Sequence, residues 1–199
     1  MTGSTRKAAK TLALVANQQG GYFTAKQAAG AGYSYQALQH HVAVGNFERV
    51  EHGLYRLPTV PHAEHDDLIR LTLWSRNQQD EPQAVVSHET ALGIHELTDL
   101  LPDRIHLTVP KRFRKAVPEV CAVHKAELAD DEIEERFGFR VTTPLRTFAD
   151  ALESGVSSEQ LVLGLNAALD RGIISRAQLS KGKRRYPALD RFLTKFGKG

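Results

Sequence analysis

Three short helical stretches closed by a hairpin, followed by strands that alternate with helices, predict an α+β fold. The expected architecture is an N-terminal winged helix-turn-helix over 1–60 and a mixed α+β domain over 66–199, with a helical, basic C-terminal end. Residues 5–19 place Ala8, Leu12, Val15 and Gln19 at helical spacing, and Gly20-Gly21 stops that helix. Thr24 with Gln27 three residues on is the capping-box pattern; it starts a second helix near Ala25, ended by Gly30 or Gly32. Ser34 caps a third, YQALQHHVAV, which stops at Gly45. Two short helices joined by a glycine-containing turn form a helix-turn-helix.

The stretch GNFERVEHGLYRLP, 45–58, then supplies the wing. FERVE and LYRL are its strands, and Gly53 gives the turn its conformation. Pro58 ends the pairing. Phe47 and Val50 are three apart, so a regular strand cannot bury both. Either Phe47 belongs to the helix exit or a bulge sits between them.

PTVPHAEH, 58–65, reads as a linker. Helical spacing of Leu68, Leu71 and Trp74, with acids at the start, marks a helix over 66–78. AVVS, 84–87, is a short buried strand or the start of the helix HETALGIHEL. Strands are expected over 104–109, 121–126 and 138–142. Thr143 and Pro144 cap and open the helix TPLRTFADAL, on which Arg146 and Asp150 pair at i, i+4. Helices follow at about 158–170, 175–180 and 187–196.

Hydrophobic residues make up 41% and charged residues 25%, the balance of a globular chain rather than a disordered one. No apolar run reaches the ~20 residues of a membrane span, and Met1 to Lys10 lacks the apolar centre of a secretory signal. The single Cys121 excludes an internal disulfide and a cysteine metal cluster. A cytoplasmic location is expected. The net charge is only +3, but it is unevenly spread. Residues 1–62 hold Arg6, Lys7, Lys10, Lys26, Arg49 and Arg56 against Glu48 and Glu51. The end of the chain is basic again: Lys181, Lys183, Arg184, Arg185, Arg191, Lys195 and Lys198 against Asp190. A basic N-terminal module suits a polyanion.

On the third helix, ~100° per residue puts Tyr35, Leu38 and Val42 on the core side. Gln36, Ala37, His40 and Val44 face away, with Ser34 and His41 on the flanks. Gln can pair with adenine and His can contact guanine or phosphate in a major groove. Lys26, Arg49 and Arg56 are expected at phosphates, where they add salt-dependent affinity without sequence information. Tyr55 and Leu57 pack inward. Lys111, Arg112, Arg114 and Lys115 form a basic loop after a strand and are candidate contacts to phosphate or to an acidic partner.

GYFTAKQAAGAGYSYQALQHHVAVGNFERVEHGLYRLP resembles the N-terminal winged-helix domain of AbiEi-type antitoxins of type IV toxin–antitoxin systems. VVSHETALGIHEL and VTTPLRTFADAL resemble two segments of that family's C-terminal domain, with RIHLTVPK between them; the resemblance spans roughly residues 8–165. It implies a double-stranded DNA-binding repressor that acts on inverted repeats in its own promoter. It also implies neutralisation of a nucleotidyltransferase-like toxin encoded beside it, without requiring a stable complex of the two proteins. Relatives often carry arginines at the end of the recognition helix and in the wing turn. Here those places read LQHHVAVGN and VEHG, so either a modest affinity or one that varies with pH through His40, His41 and His52 is expected.

Two rival readings are a solitary winged-helix regulator and an antitoxin that modifies its toxin by phosphotransfer. No catalytic residue, cofactor or metal site is expected. HETAL and HELTD lack the second His of a zinc-protease helix, and His88 and His95 are too far apart on a helix to share an ion. His62 and His65 fall in the linker. No phosphate-binding glycine loop is present. Ser87 reads as an N-cap rather than a nucleophile, and Asp130–Glu135 as a solvated loop or helix start.

Overall fold

The computed structural model describes residues 3–99 and 101–196. Met1, Thr2 and Lys198, counted above in the two chain ends, lie outside the described residues. The fold is α+β. The chain forms two compact units, residues 1–83 with 135–139, and residues 84–134 with 140–199.

In the first unit α1 (Gly3–Asn17) is followed by a strand, β1 (Tyr22–Thr24), then α2 (Ala25–Ala31) and α3 (Tyr35–Ala43). The capping box at the head of α2 is complete: Thr24 Oγ1 accepts from the Gln27 amide at 3.1 Å, and Gln27 Oε1 accepts from the Thr24 amide at 2.9 Å. The wing is β2 (Glu48–Glu51) and β3 (Leu54–Arg56), joined through Gly53 at φ +74°, where a Cβ is disfavoured. The sheet order is β1-β3-β2. Sequence reading missed β1, because three residues between a glycine pair and a cap carry no alternation to detect.

The strand puzzle at 47–50 resolves both ways. The β2–β3 register slips between Arg49 and Glu51, a bulge at Val50, and Phe47 sits before the strand with its amide on the His41 carbonyl. That frees Phe47 to enter the core with Leu12, Ala16, Phe23, Ala28, Leu38 and Tyr55. Phe23 is the hub: its ring meets Phe47 edge-on at 5.0 Å and stacks on Tyr55 at 5.8 Å, geometries that add to the area term.

The segment read as a linker is pinned. The Ala63 amide and His62 Nδ1 both bond Asp66, at the start of α4 (Asp66–Trp74), and Asp66 also accepts from Tyr22 Oη at 3.1 Å.

The second unit contains β4 (Val85–Val86), α5 (His88–Ile94), β5 (Ile105–Val109), β6 (Cys121–Lys125), the start of β7 (Ile133–Arg136), most of β8 (Phe139–Thr142) and four helices. These are α6 (Pro144–Ser154), α7 (Ser158–Asp170), α8 (Arg176–Arg185) and α9 (Pro187–Phe196). Strand order is β6-β5-β4-β8-β7; β5 runs parallel to β6 and antiparallel to β4, which is parallel to β8. Leu92, Phe148, Leu161, Leu165, Ile174 and Leu189 anchor the helical core beside it.

Three sequence expectations change here. Helix α8 runs on past residue 180, because Gly182 is a packing glycine: a Cβ there would meet Leu145 and Leu189 at 2.9 and 3.0 Å. The acidic run is not solvated throughout. A 3-10 turn, Asp130–Glu132, leads into β7, and Glu132 is buried, accepting from Tyr186 Oη at 2.6 Å and from Arg146 Nη1 at 3.2 Å, with Arg185 ion-paired to it at 3.2 Å. Ser87 occupies the N-cap position of α5, but its hydroxyl makes no cap bond and turns to Thr108 and His88 instead. The Arg146–Asp150 pair forms as expected, Nε to Oδ1 at 2.8 Å. No helix among the described residues is long and apolar enough to cross a membrane.

Candidate nucleic-acid interface

Helix α3 is held at both ends by its own sequence. Ser34 Oγ accepts from the Ala37 amide at 3.1 Å, closing the N-terminus. At the other end His41 leaves the outer face. Its ring stacks on Phe47 at 4.8 Å, meets Tyr33 edge-on at 5.3 Å, and its Nδ1 is 3.1 Å from Asn46 Nδ2. Leu38 is buried and Val42 packs against the core. With those positions fixed, Gln36, His40 and Val44 are exposed and Ala37 is partly so.

Tyr35 is the correction on this helix. It was expected in the core with Leu38 and Val42, yet it is 73% exposed. It is the first helical residue, so its side chain projects beyond the packed turn that Leu38 begins. The helix therefore offers Tyr35, Gln36 and His40 to solvent from a capped N-terminus, the end from which recognition helices address base edges.

The charged candidates separate. Arg49 is exposed on β2. Lys26 is exposed, but its Nζ donates to the Gln78 carbonyl. Arg56 does not stand where a phosphate would be met. It is 4% exposed, its guanidinium lies 5.7 Å from the Tyr22 ring centroid, and its Nη2 donates to the Val60 carbonyl. Facing Tyr22 across β1–β3 in register, it braces the sheet. Glu51 is paired with Arg70, so one of the two acidic charges of the wing is offset; Glu48 stays exposed.

Residues 10–58 match the family described as transcriptional regulator, AbiEi antitoxin. Over that stretch the chain is similar to AbiEi-type antitoxin regulators. The match covers α2, α3 and the whole wing, the elements that place Gln36, His40 and Arg49. No curated protein matches the chain. The matched family is described as one of transcriptional regulators, and α3 is the second of the two consecutive short helices in the matched stretch.

Outside the matched stretch, Lys111, Arg112, Arg114 and Lys115 are all exposed around Phe113, which is buried and anchors their loop after β5. Arg114 Nη1 folds back to the Lys111 and Phe113 carbonyls, at 3.5 and 3.3 Å. In the N-terminal domain sequence reading missed Tyr35. Its position directly after the Ser34 cap was the available signal, because a first-turn residue has no preceding turn to pack against.

Proposed function

We propose that this chain is a DNA-binding antitoxin that represses its own operon and counteracts a nucleotidyltransferase-like toxin encoded beside it. Helix α3 enters the major groove with Gln36 reading a base edge and Tyr35, Ala37 and His40 fitting beside it. Ser34 at the helix start and Arg49 on the wing meet the sugar–phosphate chain, and the contact is salt-dependent. Lys26 and the basic loop at 111–115 are secondary phosphate contacts. His41 supports the helix from behind rather than touching DNA.

The observation that supports this reading is the division of α3 into two faces. Leu38, Val42 and His41 are committed to packing, while Tyr35 and Gln36 stand in solvent and His40, exposed, meets the His41 ring edge-on at 5.9 Å. A gel shift of the full chain on the DNA upstream of its own gene tests it at two salt concentrations. Retarded bands that disappear with Gln36→Ala/His40→Ala support the reading; no retardation at low salt ends it. The antitoxin half is tested by growth. Co-expression with the adjacent nucleotidyltransferase-like gene should restore growth that the toxin alone arrests.

A further inference from the structure

Three imidazoles far apart in sequence converge in the second unit. His88 opens α5, His106 lies on β5 and His124 on β6. The parallel register sets Thr108 opposite His124 and Ala122 opposite His106. Residues two apart share one face of a strand, so His106, Thr108 and His124 project from the same side of the sheet. Helix α5 brings His88 onto that side, where its ring stacks on His124 at 3.6 Å and lies 5.8 Å from His106. One ring nitrogen from each histidine falls within 4.8 Å of the others, and His124 Nε2 is 3.1 Å from His106 Nδ1.

The surroundings are organised beyond what packing needs. His88 has φ +53°, a left-handed conformation that residues other than glycine adopt rarely and that carries strain. Its Nδ1 is 2.8 Å from Ser87 Oγ, which in turn accepts from Thr108 Oγ1 at 2.8 Å, leaving Nε2 as the nitrogen available to a ligand. Metal-binding histidines are oriented in this manner by the partner of their other nitrogen. A carboxylate stands beside the group: Glu89 Oε2 is 3.0 Å from His106 Nδ1, is shut off from solvent, and has no hydrogen bond of good geometry among the described residues. Its other oxygen accepts from Ser154 Oγ at 3.1 Å. Burial, reinforced by the neighbouring rings and Arg146, carries His88 down to about 3, and burial also lowers His124.

We propose that His88, His106 and His124 bind one divalent transition-metal ion, zinc foremost, with Glu89 balancing its charge beside His106. Imidazole ligands suit zinc, copper and nickel rather than magnesium or calcium. Two nitrogens bound to one tetrahedral zinc at ~2.0–2.1 Å stand about 3.3 Å apart, close to the 3.1 Å between His124 and His106. The ion ties the first turn of α5 to β5 and β6 and compensates the conformation of His88.

Metal-stripped full-length protein is titrated with zinc alone by calorimetry, and with cobalt by visible absorption. The expected result is saturable uptake of one ion per chain, the intense visible bands of tetrahedral cobalt, and a higher Tm with zinc. His106→Gln/His124→Gln should lose binding by at least ~100-fold, and Glu89→Gln should weaken it by ~10–100-fold with stoichiometry kept. His62→Gln, in the other unit, should change nothing. Absence of saturable micromolar uptake by the unaltered chain overturns the proposal, and needs no variant to fold. Unchanged stoichiometry and affinity in a folded His106→Gln/His124→Gln variant overturns it too.

Discussion

Arg56 and Tyr22 face each other across the β1–β3 pair, the guanidinium 5.7 Å from the ring centroid, both side chains buried. An arginine in the most regular part of a wing looks like a phosphate contact in sequence, and its burial makes it a brace. Arg56→Ala should lower stability by ~2–4 kcal/mol, since it removes a charged hydrogen bond to Val60 and the stacking on Tyr22. Arg56→Lys should recover only part, because an ammonium lacks the flat face. Urea unfolding measures both. The same variants that still fold should keep the salt slope of DNA binding.

Arg49 should behave in the opposite way. It is exposed on β2, so Arg49→Ala should change stability by less than ~0.5 kcal/mol while the slope of log K against log salt flattens by about one. Fluorescence anisotropy over a salt series reads this directly. If the Arg49 and Arg56 effects are exchanged, the wing has been assigned the wrong way round.

Gln36→Ala should relax preference at one base pair by ~1–3 kcal/mol and leave the salt slope alone. Competition between the upstream duplex and single-base variants of it gives the number. Tyr35→Ala should weaken DNA binding without lowering Tm, because a side chain that is 73% exposed adds little to the core. A fall of several degrees in Tm would mean that Tyr35 packs after all.

In the second unit Asp150 is buried beside Arg146. Burial outweighs the attraction of Arg146 and carries its carboxyl up to about 6. The folded state therefore holds this proton more tightly than the unfolded chain does. Its contribution to stability is largest below pH ~4, falls as pH rises to about 6, and is flat above; the whole change is about 3 kcal/mol. Glu132 acts the other way: burial pushes it up, but Tyr186, the Ala129 amide and Arg146 together hold it below its ordinary value. Asp150→Asn should thus gain stability relative to the unaltered protein between pH 4 and 6. Urea unfolding at pH 4.5 and 7.5 checks the sign; a relative loss over that interval contradicts it.

Much of the first unit was legible in the sequence because local chemistry sets it. The Thr24–Gln27 box, the Ser34 cap and the Gly53 turn each depend on neighbours within a few residues, and each forms. What was hidden depends on distant partners. Arg56 is buried by Tyr22 and Val60, which no spacing rule links to it. Tyr35 fits the period of Leu38 and Val42, but a helix end breaks that inference. Glu132 sits in an acidic run and is buried through Tyr186, Arg146 and Arg185, the first and last more than 50 residues away in the chain. His88, His106 and His124 meet only through the β5–β6 register and the placement of α5, so a search for close ligand spacing passes over them.

The central claim is that the solvent-facing side of α3 meets duplex DNA. Amide chemical-shift mapping of the full chain during titration with its upstream duplex tests this most directly. The account predicts the largest shifts over 34–44 and around Arg49, with the second unit's helices nearly still. Shifts concentrated at 111–115 or in α8 and α9, with Tyr35, Gln36 and His40 unmoved, would contradict it.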